Sequence, residues 1–407
     1  MGASAKSPAK SPGKSLAEVR AFLLDRLGLR GPFWSAAQSM DRAVDLGMIQ
    51  VDSIIRTGLR NHEIVWAARS NAPIADFYRM VYGERRMLET HYPIFTTRRD
   101  WLPQFLQDFH LAVKGTLHWD ELQPVKRKLV KQIRANGPVS PGELEAERIV
   151  GGFNTVKATT KALEHLFYEG KVQVSGRTRN FHRQFDLTEN VAPELLKHPR
   201  IKPRDHQRFM VTSALDVLKI ASRNQLAQRV NHHFGSWRGP GLTESRKLVD
   251  KAAVDGLIEP VSVQGAETDE IWFTLAKDRD AWKAAAKPAD DKVRLIAPLD
   301  NLLFSRDRFT ELFGFTYKFE AYTPVRKRRF YFALPVLWRD DVVGLIDGKR
   351  ENGAWRVTDL QLLKHIDPDA LRAGLHRFAR IAGAEKVTAG RKVEEKWKKA
   401  LSGKIED

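Results

Sequence analysis

Gln50 and Asp52 are the residues whose types and spacing best suit chemistry. They lie in DLGMIQVDSII, residues 45–55, where Met48, Ile49, Val51, Ile54 and Ile55 mark a buried segment. In an extended chain, positions i and i+2 point to the same side. Gln50 and Asp52 then share one face, with Ile49 and Val51 on the other. A carboxylate buried without a partner is costly. The pair is therefore either satisfied by structure, as on a solvated strand edge, or used. An ionised carboxylate can stabilise developing positive charge and take a proton from water. An amide both donates and accepts hydrogen bonds, so it can hold that water.

Other chemistries find less support. HEIVW, LETHYP and FLQDFH contain histidines beside acids, but none has the H-E-x-x-H spacing of a zinc site. His62, His91 and His110 read as polar contacts or core groups, and no metal is expected. There is no G-x-x-x-x-G-K-[ST], G-x-G-x-x-G or G-x-S-x-G. The absence of Cys excludes thiolate nucleophiles, disulfides and Cys-based metal sites. No cofactor is expected.

The elements that position the pair belong to a chain of 407 residues, enough for about two to four domains. The 68 Lys and Arg against 50 Asp and Glu leave a net charge of +18. That excess favours a polyanionic partner, nucleic acid first. No apolar run reaches the length of about eighteen residues that spans a bilayer, and no secretory h-region is present. A cytoplasmic, nucleoid-associated, monomeric protein is the expectation.

Residues 1–15 contain the repeat KSPAKSPGKS and read as a disordered basic tail. LAEVRAFLLDRLGL has helical spacing from Leu16 and opens a helical, winged-helix-like module, 16–118. Within it a helix ends at Gly47, MIQVDSIIRT is extended, Asn61–Ser70 is helical or irregular, and Ile74–Val81 and Arg85–His91 complete the module.

From Trp119 the grammar changes. DELQPVKRKLVKQIRANGPVSPGELEAE reads helix, turn, helix, with Ser140 and Glu143 as a capping box and Pro141 at the first helical position. A third helix stopped by Gly170 and a hairpin, KVQVSG with NFHRQFDL, complete a winged helix over 119–200. DHQRFMVTSALDVLKIAS, RNQLAQRVNHHF and GLTESRKLVDKAAVDGLIEPVSV, with EIWFTLA as return strand, repeat the pattern over 201–290. RLIAPLDNLLF, YKFEAYTP, RRFYFALPVLW, DVVGLIDGKR and WRVTDLQLL read as strands of an antiparallel meander or small barrel, followed by the amphipathic helix LRAGLHRFARIAG, over 291–385. Residues 386–407 read as a charged tail. The fold class is α+β: tandem winged helix-turn-helix modules with a C-terminal antiparallel β-rich, barrel-like domain.

Basic residues fall where winged helices face DNA. Lys157 and Lys161 lie on the first recognition helix, Arg177 and Arg179 on its wing, and Arg246, Lys247 and Lys251 on the second recognition helix. Arg326, Lys327, Arg328 and Arg329 cluster among aromatics in FEAYTPVRKRRFYF, read as a DNA-gripping hairpin. Such residues position a duplex through its phosphates without reading its sequence. Arg56, His62, Arg69 and His91 are candidate supports for the Gln50–Asp52 site.

LGMIQVDSIIRTGLRNHEIVWAARS, with RRMLETHYPIF downstream, resembles the AlkZ/YcaQ (AlkZ/AlkX) family of winged-helix DNA glycosylases. QVD matches the Gln–apolar–Asp motif of the YcaQ branch; the AlkZ branch carries Gln–apolar–Gln. APLDNLLFSRDRFTELFGFTYKFEAYTP and RRFYFALPVLWRDDVVGLIDGK are similar to the family's β-domain. The KSP-rich tail lies outside the family pattern, and around ETHYP the chain departs from it, where family members tend to have a Trp and a longer polar stretch. The resemblance covers about residues 16 to 385. It implies tandem winged helices cradling a duplex, removal of alkylated purines, unhooking of interstrand crosslinks, and catalytic roles for Gln50 and Asp52.

The implied chemistry suits these residues. N7- or N3-alkylation makes the purine a good leaving group, and positive charge passes to the sugar as the bond breaks, as in glycosidases. A carboxylate below C1′ stabilises that charge, and the amide holds the attacking water. With no lysine in the motif, a monofunctional enzyme leaving an abasic site is expected. A crosslinked base cannot rotate far into a pocket, so an open surface around Asp52 suits such a lesion. The alternative is a non-catalytic winged-helix DNA-binding protein or transcriptional regulator, which charge and winged helices fit equally well.

Overall fold

The computed structural model describes residues 13–90, 95–106, 119–145, 147–150, 155–232, 239–266 and 270–405. Most of the KSP-rich tail, His91 and His110 lie outside them. The chain divides into two compact units, one of Phe33–Met210 with Asn231–Gly241, the other of Met1–Pro32, Val211–Val230 and Leu242–Asp407.

The first unit carries the QVD stretch. Met48–Gln50 pairs antiparallel with Phe95–Arg98, whose other edge pairs with Met87–Glu89. The expected extended run is a regular strand only as far as Gln50. Beyond it the chain turns, with the Gly58 N–H on the Ile55 carbonyl at 3.1 Å. Helix Ala36–Val44 buries Met40 and Ala43. Helix Asn61–Ala67 is buried on all sides, so its polar side chains must find partners inside the protein. Ile74–Tyr78 continues into a wider π turn, Arg79–Gly83.

Helix Gln123–Asn136 follows and ends at Gly137, whose φ of +85° suits only a residue without Cβ. The expected capping box forms, with Ser140 N–H on Glu143 at 3.1 Å. The helix it was expected to open is one 3₁₀ turn, Pro141–Glu143. Gly142 is a poor helix former, and β-branched residues then favour a ribbon, Arg148–Val150 with Thr155–Lys157. Helix Ala158–Tyr168 and the hairpin Val172–Arg177/Arg183–Leu187 match expectation. Leu129, Ile133, Leu163, Leu166, Val174 and Phe185 form the shared core.

The second unit takes helix Leu16–Arg26, expected to open the QVD module. Its Phe22 stacks on Trp282 at 4.1 Å, on helix Ala281–Ala285. Strand Ile220–Ser222, not expected from sequence, pairs with Trp272–Leu275, which also pairs with Ile258–Val261. Arg308 is fully buried and donates to the carbonyls of Leu218, Ile220, Asn301 and Leu302.

A six-stranded sheet runs Val293–Leu295, Leu334–Trp338, Asp341–Glu351, Ala354–Leu362, Lys386–Ala389, Gly403–Lys404. The first four strands are antiparallel, as expected. Lys386–Ala389 is parallel to its neighbour, reached through helix Pro368–Ile381, which corrects the purely antiparallel reading. The expected charged tail is instead this strand, helix Glu395–Leu401 and the last strand, with Val387 and Leu401 buried. YKFEAYTP and RRFYF form no strands. Glu320 accepts the N–H groups of Arg329 and Phe330, and Asp347 accepts those of Tyr331 and Phe332. Carboxylates thus satisfy donors that a neighbouring strand would otherwise take.

Gly348 lies at a register shift in this sheet, where an added Cβ would meet the buried Trp355 ring at 2.3 Å. Gly348→Ala is expected to destabilise the protein by about 1–3 kcal/mol, read as a lower midpoint in denaturant unfolding.

Candidate active site

Burial alternates through the motif. Ile49 and Val51 are buried, Gln50 and Asp52 are half-buried, and Ser53 and Ile55 are exposed. Regular pairing stops at Gln50, so Asp52 sits on the turn after the strand. Its Oδ1 accepts the Ile54 N–H at 2.8 Å, a short-range turn bond of the kind aspartate favours. Among the described residues Asp52 makes no salt bridge. The Gln50 carbonyl accepts from Asn61 Nδ2 at 2.9 Å. The end of the strand is therefore tied to the start of helix Asn61–Ala67.

That helix start is itself held by charge. Glu63 accepts the Arg60 backbone N–H at 2.6 Å and an Arg60 guanidinium N–H at 3.2 Å. It also accepts the Tyr78 hydroxyl. With that proton committed, the phenol oxygen accepts from His62 Nε2, 3.0 Å away. This leaves Nδ1 as the bare nitrogen, and it has no hydrogen-bond partner among the described residues. Burial, with the Arg177 and Arg60 charges, pushes the His62 imidazole well below its ordinary range. Burial, then Glu63, pushes the Tyr78 phenol up, so it remains a donor.

A second acid hub lies beside the first. Glu89, at the end of its strand and 1% exposed, takes Arg177 through two nitrogens at 2.9 and 2.6 Å. Arg183 adds a contact at 3.3 Å and Tyr82 donates its hydroxyl. Burial alone would raise the Glu89 carboxyl; Arg177 and Arg183 outweigh it and hold it below the usual carboxylate range. The two tyrosines stack at 6.2 Å, joining the hubs. Tyr78, Tyr82 and Arg183 were missed by sequence reasoning. Each is ordinary by type, and only the fold brings them together.

Several expected DNA contacts are placed otherwise. Arg177 is held by Glu89 in a two-point ion pair. Lys157 donates to the Leu144 carbonyl at 2.7 Å, and Lys161 pairs with Glu164 at 2.8 Å. Arg246 donates to Asn224 at 2.9 Å. Arg179, Lys251, Arg326, Lys327 and Arg329 are exposed, as is Lys247, 3.4 Å from Glu244. Arg328 lies over the Tyr331 ring at 4.6 Å. The Arg326–Arg329 segment is a 3₁₀ turn running into irregular chain, not a hairpin.

Of the candidate supports, Arg69 is fully buried and donates to the Val65 carbonyl at 3.0 Å, so it braces the helix from inside. Arg56 is half-buried on the turn after Asp52. Among the described residues, no three His, Asp or Glu side chains are grouped to hold a metal ion. No helix among them is long and apolar enough to cross a membrane.

A family model described as AlkZ-like, DNA glycosylase AlkZ-like, matches residues 44–381. Among solved structures, the DNA glycosylase AlkZ of Streptomyces sahachiroi is similar at TM-score 0.58 and 15% identity. The match covers 93% of this chain and 99% of that one.

Proposed function

Since the chain belongs to the AlkZ-like DNA glycosylase family, we propose that it hydrolyses the N-glycosidic bond of N7- and N3-alkylated purines in duplex DNA, with Asp52 and Gln50 at the reacting sugar. It is a DNA glycosylase, and the regulator reading is set aside by that membership.

The observation that carries the residue assignment is the state of Asp52. It lies within the matched span, half-buried, with one turn hydrogen bond and no salt bridge among the described residues. Its second oxygen is the group that faces the sugar as C1′ becomes cationic. Gln50 holds water against it. The alkylated base leaves without protonation, and the product is an abasic site with the backbone intact. The exposed Ser53 and Ile55 on either side of the turn suit a lesion that cannot be withdrawn from the helix. This supports crosslinked purines as substrates.

The segments 119–200 and 201–290 act as two winged helices that grip the backbone. The second has the order helix, strand, helix, helix, then three strands, Ile258–Val261, Val263–Gln264 and Trp272–Leu275, over 203–275. Arg179 and Lys251 are exposed phosphate contacts. Arg179→Ala and Lys251→Ala are each expected to flatten the slope of log affinity against log salt by about 0.9, with base release at saturation unchanged.

The test is product analysis on duplexes carrying N7-methylguanine, N3-methyladenine or a nitrogen-mustard crosslink. The expected result is free base from the two methylated duplexes, and from the crosslinked duplex separation of the strands with the excised purine still attached to the opposite strand, with strand breaks appearing only after alkali. Breaks without alkali would contradict the monofunctional mechanism, and release from none of the three duplexes would contradict the substrate class.

A further inference from the structure

Phe181 closes the turn of the hairpin Val172–Arg177/Arg183–Leu187, with its N–H on the Thr178 carbonyl at 2.8 Å, and its φ is +66°. A bulky residue in the left-handed region is unusual and is tolerated only when its surroundings demand it. Those surroundings are specific. The Arg177 guanidinium lies 4.3 Å from the ring centre and the Arg60 guanidinium 4.1 Å. The His62 imidazole stacks on it at 5.4 Å with 12° between planes. Arg177 also donates to the Phe181 carbonyl at 2.8 Å.

Arg60 and His62 flank Asn61, whose side chain holds the Gln50 carbonyl. The ring therefore grips both neighbours of the residue that fixes the end of the QVD strand. His62, kept neutral by burial, can stack face to face without adding a third charge.

We propose that Phe181 is a positioning residue for base excision: its ring clamps Arg60 and His62, and through Asn61 sets where Gln50 and Asp52 meet the sugar. This rests on the assignment of Gln50 and Asp52 as the reacting pair. Displacement of a catalytic group by about an ångström can cost on the order of a hundredfold in rate.

Phe181→Gly separates positioning from folding, because glycine removes the ring while relieving the backbone strain. Phe181→Tyr keeps the ring. Single-turnover base release at saturating enzyme, duplex affinity and unfolding midpoint are measured for both, with Asp52→Asn alongside. The expected result is a fall in rate of about tenfold to a hundredfold for Phe181→Gly, with affinity and midpoint unchanged and most of the rate kept by Phe181→Tyr. If Phe181→Gly fails to fold, Phe181→Leu, which keeps bulk without a ring face, carries the same expectation. A wild-type rate for the ringless variant, or a Phe181→Tyr rate as low as its own, overturns the proposal. If Asp52→Asn alone is slow, only the role of Phe181 falls. If Asp52→Asn is as fast as wild type, the assignment beneath it falls too.

Discussion

Asp52→Asn is expected to release alkylated purine about 10²–10³-fold more slowly than wild type in single turnover, with duplex affinity retained. Asparagine keeps the size of the side chain and an oxygen to accept the Ile54 N–H, so the turn after the strand survives. What it removes is the negative charge. A departing alkylated purine takes its electron pair with it and leaves the sugar cationic, so the charge of Asp52 matters far more in the transition state than in the bound duplex. The loss should therefore appear in the rate and not in binding. Asp52 is not assigned a phosphate contact, and removing an acid from a basic protein does not weaken its hold on DNA. Parallel single-turnover and equilibrium binding measurements check both halves.

Glu89→Gln is expected to destabilise the protein by about 3–5 kcal/mol, because it leaves two largely buried guanidiniums without their anion. Arg177 and Arg183 both turn to Glu89, with side-chain exposures of 10% and 15% against 0% for Glu89 itself. The folded carboxyl is held below its unfolded value. Its contribution is therefore fully present above the unfolded glutamate pKa of about 4.3. It fades as pH falls below that value and is gone once the folded carboxyl protonates. Denaturant unfolding of wild type and variant should show a wide gap at neutral pH that narrows in acid. A gap of constant size would show that the ion pairs are not its source.

The long apolar periodicities were legible. Helices Leu16–Arg26, Gln123–Asn136, Ala158–Tyr168 and Pro368–Ile381, and the hairpin after Gly170, follow from spacing and stop signals. The failures share a physical cause. Pro141 and Ser140 signal a helix start correctly, but nothing in a capping box says how far the helix runs, and Gly142 ends it within a turn. RRFYF has strand composition, yet its backbone donors are taken by Glu320 and Asp347, which a local reading cannot pair with it. The ion pair of Arg177 was illegible because its partner, Glu89, is 88 residues away. The QVD stretch could be singled out because its polar residues are near neighbours in the sequence. The apparatus that holds it could not, since Asn61, Phe181 and the two Glu–Tyr pairs meet only through the fold.

The most direct test of the central claim is binding of a duplex carrying a pyrrolidine nucleotide, whose protonated ring nitrogen mimics the cationic sugar, compared with the same duplex carrying a neutral tetrahydrofuran abasic site. Wild type is expected to prefer the cationic duplex by about a hundredfold or more, the range in which transition-state analogues exceed substrates, and Asp52→Asn to lose most of that preference. Equal preference in wild type and variant would contradict the claim.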